Sequence, residues 1–258
     1  MVKHICYEQP LNERIRTLLR LEFLFQQIED SAPVRSVWAT RHAMQGLIDL
    51  LNLTSRNELK SELRKELERY AASLSRLRHK QAPEVDAKAL EIILDHITQV
   101  MHRVNSIDNS TIETVRKNDF LSAIRQRSSI PGGTCLFDLP ALHHWLQQDS
   151  DTRINDLESW LRPLQPLQEA IQLILKLVRE SAIPTQEIAS AGFFQKALDS
   201  NSPSQMVRVI IPLETNVFPE ISGGRHRFSI RFMTQPNLNQ KTIPSHDDIA
   251  FKLVCCVI

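Results

Sequence analysis

Glycine is scarce in this chain, 6 of 258 residues. Phosphate cradles of the Walker or dinucleotide type need several glycines in one loop, so such loops are disfavoured and helices are favoured over most of the length. The glycine pair 132–133 follows Pro131 but no Lys-Ser/Thr comes after it, so it reads as a tight turn. Cysteine is also sparse. Cys6, Cys135, Cys255 and Cys256 are scattered, two of them adjacent, and no CxxC pair exists. That pattern predicts reduced thiols and a cytoplasmic setting. Neither sign of charge is in excess: 31 Lys+Arg against 30 Asp+Glu gives a formal net charge of +1. A nucleic-acid binder usually carries a strong positive balance, so any basic function here must be local. Few aromatics are interleaved with the basic residues, which supports base stacking poorly. No apolar run approaches the length of a membrane span, and residues 1–14 contain no apolar signal-peptide segment.

Catalytic patterns are missing as well. There is no HExxH and no GxSxG, and Cys135 has no activating neighbours. The nine histidines lack metal-ligand spacing: His143 and His144 point about 100° apart on a helix, and His96 and His102 do not share a face. The helical glutamates alternate with Lys and Arg and read as solvated faces. Nothing nominates a general acid and base, a metal or a cofactor, so no enzyme is expected. The end, Cys255-Cys256-Val257-Ile258, formally fits a prenylation box, but it reads more readily as the tail of a strand.

What is present is helix first and strand last. Asn12 is placed to cap a helix through Ile15, Leu18, Leu21, Leu24, Phe25 and Ile28. A second helix runs through Trp38, Met44, Leu47, Ile48 and Leu51, and Thr54 or Ser55 is placed to cap the third. In that third helix Leu59, Leu63, Leu67, Tyr70, Leu74 and Leu77 form a narrow seam between charged residues. After Pro83 a fourth helix carries Leu90, Ile93, Leu94, Ile97, Val100, Met101 and Val104. Asp138 is placed to cap LPALHHWLQQ. Beyond Pro184 the pattern alternates, at 207–213, 225–233 and 249–255. The expected class is α+β: an α-helical domain over residues 1–183 and a small antiparallel β-domain over 184–258, with residues 4–8 possibly added to it as a strand.

Residues 222–233, SGGRHRFSIRFM, are the most distinctive stretch. Two glycines predict a turn and a strand follows. Arg225, Arg227, Ser229 and Arg231 fall on one face, and His226, Phe228, Ile230 and Phe232 on the other. Same-face arginines about 6.6–6.8 Å apart repel unless something acidic covers them. Two readings stand: a solvated outer face of a sheet, or a recognition ridge for a carboxylate-rich partner, which the guanidinium fork suits.

Three segments resemble a known family: YEQPLNERIRTLLRLEFL at 7–24, IRQRSSIPGGTCLFDLPALHHWL at 124–146 and FPEISGGRHRFSIRFM at 218–233. The chain looks like ZapD, the Z-ring-associated proteins of bacterial cell division, over nearly its whole length. The resemblance implies a helical domain plus a β-sandwich-like domain, a homodimer, and no catalysis. It also implies binding to the C-terminal tail peptide of the tubulin-like GTPase FtsZ, with cross-linking or bundling of its protofilaments at the midcell Z-ring. Carried onto this sequence, the candidate peptide-binding residues are Arg227 and Arg231 with Arg225 beside them. Arg56 lies where the family has an arginine, and Arg125 and Arg127 match a family motif, either as contacts or as residues that order the PGG turn. Two other readings compete: a nucleic-acid module using the same ridge, against which the near-neutral charge argues, and an enzyme of unrecognised type. No nucleic-acid partner and no membrane insertion are expected.

Overall fold

A computed structural model of the chain describes residues 3–54, 59–79, 86–199 and 203–257. In chain order the elements are β1 (His4–Pro10), α1 (Glu13–Ser31), α2 (Val37–Leu53), α3 (Leu59–His79), α4 (Ala87–Asn105), α5 (Asn109–Arg116), α6 (Asp119–Ser128), α7 (Pro140–Leu146), α8 (Ser150–Leu161), α9 (Gln165–Arg179), β2 (Thr185–Ala189), β3 (Phe193–Ala197), β4 (Ser204–Pro212), β5 (Phe218–Gly223), β6 (Arg227–Thr234), β7 (Ile243–Pro244) and β8 (Ile249–Val257). Helices followed by antiparallel strands make the class α+β. Two compact units result: Leu19–Ile174, and Met1–Leu18 together with Leu175–Ile258. The expected division had placed residues 1–183 in one domain and 184–258 in the other.

The helical unit is built on capped, amphipathic segments. Short polar side chains accept the otherwise unpaired first-turn N–H groups. Asp86 caps α4, Asn118 caps α6 through Leu121 N, and Asp149 caps α8 through Thr152 N. The seam expected in α3 is buried at Leu59, Leu63, Leu67 and Tyr70, and in α4 Leu90, Ile97, Val100 and Val104 turn inward. Phe120, Trp145 and Trp160 form an aromatic cluster with centroids 5.6–5.8 Å apart. Arg153, only 5% exposed, donates to the Leu146 carbonyl at 3.0 Å and so ties the end of α7 to α8.

Of the expected caps, Thr54 ends α2, its hydroxyl donating to the Leu50 carbonyl at 2.8 Å, and Ser55 lies outside the described residues. Asp138 falls elsewhere than the sequence suggests and does not cap α7. Leu139 takes that position without a side-chain bond, because the Asp138 carboxylate is turned back to accept from Cys135 Sγ and to face Arg127.

The strands form two four-stranded antiparallel sheets. The first has the order β1-β4-β8-β2, with His4–Pro10 paired along β4. The second has the order β3-β6-β5, with β7 also pairing to β6. One core joins them: Val207, Val209, Ile211, Phe251 and Leu253 from the first sheet meet Phe228, Ile230 and Phe232 from the second. The second sheet therefore alternates between a core face and an outer face, whereas the first sheet also buries Met206, Val254 and Cys256 on its other face.

The chain passes from the first sheet to the second at Ala191-Gly192, between β2 and β3. Both residues have positive φ, 48° and 72°, and Phe193 N donates to the Ser190 carbonyl at 3.0 Å. This is a two-residue turn of the primed type. A Cβ at Gly192 would lie 2.3 Å from the Ser245 carbonyl oxygen, so glycine is required there on two counts.

Candidate partner-binding face

Strand β6 turns Phe228, Ile230 and Phe232 into the core at 0–1% exposure, which leaves Arg227, Ser229 and Arg231 outward. The sequence alternation is realised over this span. It stops at Arg227, however. The glycines do not form the tip of the turn: Gly223 ends β5, and Arg225 and His226 make the tip, closed by Gly224 N donating to the Arg227 carbonyl at 3.0 Å. Arg225 and His226 are thus both exposed loop residues rather than occupants of opposite strand faces. Gly223 is needed for a different reason than turn geometry, since a Cβ there would come within 2.8 Å of Phe228 Cβ and 2.9 Å of Leu11 Cδ2.

The strand register lays out the outer face rank by rank, since directly opposed residues share a face. Next to the hairpin, Arg227 faces Ala197 on β3. Then Ser229 lies between Gln195 and Ser222. Arg231 follows, between Phe193 on β3 and Glu220 on β5. Last comes Met233, between Phe218 and Pro244 and itself buried. A pocket of about 460 Å³ opens at the hairpin end, lined by Gln195, Ser222, Arg225, His226, Arg227 and Ser229.

Arg225, Arg227 and Arg231 are exposed and take part in no ion pair among the described residues. Other arginines of the chain do pair: Arg179 and Arg208 both grip Glu8, at 2.8 and 3.0 Å, and Arg35 meets Asp151 at 2.9 Å. Three guanidiniums with five donors each are thus left to solvent or to a partner. Sequence reading missed the flanking residues of this face. Phe193 and Gln195 sit on β3, whose mostly exposed residues give no clean alternation, and Glu220 sits on β5, an edge strand interrupted by Pro219.

The other candidates lie elsewhere in the chain. Arg125 and Arg127 belong to the last turn of α6 in the helical unit, where cations suit the helix dipole. Arg127 also organises the following loop. Its carbonyl accepts from Ile130 N at 3.0 Å, its guanidinium stands 3.8 Å from Asp138, and Gly133 packs so tightly that a Cβ would lie 2.4 Å from that carbonyl oxygen. Ile130 to Gly133 form a turn with Pro131 second and Gly132, φ 71°, third, the type II arrangement. Arg56 lies outside the described residues. Among the described residues no cluster of His, Cys, Asp and Glu could hold a metal ion, and no helix is long and apolar enough to cross a membrane. Cys255 and Cys256 lie within β8, and Cys256 is fully buried.

Comparison with known proteins identifies the family of this chain. The profile of the ZapD family, described as a cell division protein, matches residues 19–231. The chain is 40% identical over 258 residues to the cell division protein ZapD of Methylococcus capsulatus, covering 100% of both chains. It is 39% identical over 255 residues to ZapD of Coxiella burnetii, covering 98% of each, and 36% identical over 256 residues to ZapD of Cronobacter sakazakii, covering 99% and 100%. None of these relatives is named as an enzyme. With the match spanning the helical segments, the arginine strand and most of the sequence between, this chain belongs to the ZapD family of cell division proteins.

Proposed function

We propose that this protein binds the acidic C-terminal tail of FtsZ on the outer face of the second sheet and, as a homodimer, cross-links FtsZ protofilaments at the midcell Z-ring in the cytoplasm. The observation that carries the reading is the set of three exposed guanidiniums, Arg225, Arg227 and Arg231, none of which forms an ion pair among the described residues. Such a face attracts a carboxylate-bearing segment, and each charge-assisted hydrogen bond contributes roughly 1.5–3 kcal/mol. A few contacts on an open surface give micromolar affinity per site. A dimer with one face per subunit is bivalent, as cross-linking requires, and gains avidity along a filament. Arg56, Arg125 and Arg127 are secondary candidates for the same partner.

The test is a titration of a labelled FtsZ C-terminal peptide with wild-type protein and with Arg227→Ala/Arg231→Ala, at low and high salt. Saturable binding that weakens with salt and is lost in the folded double variant is expected, because exposed charges are screened over about 8 Å at physiological ionic strength. Binding that ignores salt and survives the substitutions overturns the assignment of the site.

A further inference from the structure

The outer face of the second sheet is not uniformly basic. At the hairpin end the ranks are cationic and polar: Arg225 and His226 at the tip, Arg227 opposite Ala197, Ser229 between Gln195 and Ser222. Toward β7 they become apolar: exposed Phe193 lies opposite Arg231, and beyond it Phe218 and Pro244 flank Met233, which is itself buried. Phe193 is 43% exposed although its neighbour Phe194 packs against the core. An aromatic ring held at that exposure on a rigid strand, beside a guanidinium without an ion pair, is a ready apolar anchor point.

Resting on the reading given under the proposed function, we propose that this gradient fixes the chemistry and direction of the bound segment. The occupant is an extended acidic peptide that carries an apolar side chain. Its carboxylates lie in the pocket of about 460 Å³ formed by the hairpin and Gln195, and its apolar side chain lies on Phe193. Arg225, His226, Arg227, Gln195, Ser222 and Ser229 all line this pocket, so it offers hydrogen-bond donors that suit a carboxylate. Arg227 and Arg231 are four residues apart on β6, about 13 Å. An extended peptide alongside them therefore needs its carboxylate and its apolar side chain about four residues apart. Phe193 is the specificity-determining residue, since arginines alone would accept any acidic segment.

The experiment uses the full-length protein, the labelled FtsZ C-terminal peptide and two variants of it, one with its carboxylate side chains converted to amides and one with its apolar side chains cut to Ala. Each is titrated against wild type, Arg227→Ala, Phe193→Ser and Phe193→Leu, with circular dichroism confirming the fold. The expected result is that Phe193→Ser weakens the native peptide about tenfold, that Phe193→Leu retains most of the affinity, and that the Phe193→Ser loss disappears with the apolar-cut peptide but persists with the amidated one. Arg227→Ala shows the opposite coupling. If Arg227→Ala weakens binding while Phe193→Ser does not, the anchor is wrong and the arginine site stands. If neither weakens it, the face itself is not the site and both readings fall.

Discussion

Glu220 is the residue on the candidate face whose charge has the wrong sign for an acidic partner. It stands directly across from Arg231 on β5 and is exposed. Two unit charges a few ångströms apart in water interact by about 1 kcal/mol, so Glu220 repels an incoming carboxylate and draws on the field of Arg231. Glu220→Gln should therefore tighten the acidic peptide by a factor of about two to five, most visibly at low salt. A titration showing weaker binding would mean that Glu220 holds Arg231 in its binding position. A second residue bears on stability instead. Burial pushes the Cys256 thiol up to about 12 from an ordinary value of 9.0, and the nearby Arg208 only partly offsets this. The folded state thus favours the neutral thiol. Its contribution is fully present below pH 9 and is lost as the unfolded chain, but not the folded one, gives up the proton between about pH 9 and 12. Urea midpoints measured across that interval should fall more steeply for wild type than for Cys256→Ala. Parallel curves would show that the thiol titrates equally in both states.

At the scale of elements, the turn at Ala191-Gly192 decides whether β3 reaches β6 with Phe193 outward. Its two halves predict opposite signs. Gly192→Ala places a Cβ against the Ser245 carbonyl at 2.3 Å and adds a left-handed residue with a side chain, so a loss of about 2 kcal/mol or more is expected. Ala191→Gly relieves an existing left-handed alanine, φ 48°, and should gain up to about 1 kcal/mol. Chemical denaturation of the two variants checks both, and equal signs would refute the turn geometry. The same element shows where sequence reading ran short. Helices α3 and α4 were legible because their seams repeat over many turns, and β4, β6 and β8 because interior strands alternate cleanly. By contrast β2, β3, β5 and β7 are edge or very short strands whose exposed residues give no period. The turn before β3 uses Ala-Gly where Asn-Gly would have signalled a hairpin. At the arginine strand the period was legible but its start was not, because nothing local distinguishes Arg225 in a turn from Arg225 in a strand. Asp138 looked like a cap until Cys135 and Arg127, brought back by the Pro131-Gly132 turn, claimed its carboxylate.

At the scale of the whole molecule, the net charge of +1 means that no general attraction draws an acidic filament to this protein. On the proposed reading, binding comes from the local face, and bundling comes from two such faces in one particle. If the particle is a homodimer, each cross-link needs both of its subunits to be competent. Mixing wild type with Arg227→Ala/Arg231→Ala, refolded or co-expressed so that subunits exchange, then gives a distinctive dependence on composition. Cross-linking dimers follow the square of the wild-type fraction, so an equal mixture retains about a quarter of them, while total peptide sites fall only to about half. Filament pelleting or light scattering against FtsZ should track the square, and peptide titration on the same mixtures should stay linear. Bundling that instead stays linear with the wild-type fraction would mean that one subunit holds two filaments by itself, and the second contact would then be sought on the helical unit around Arg125 and Arg127.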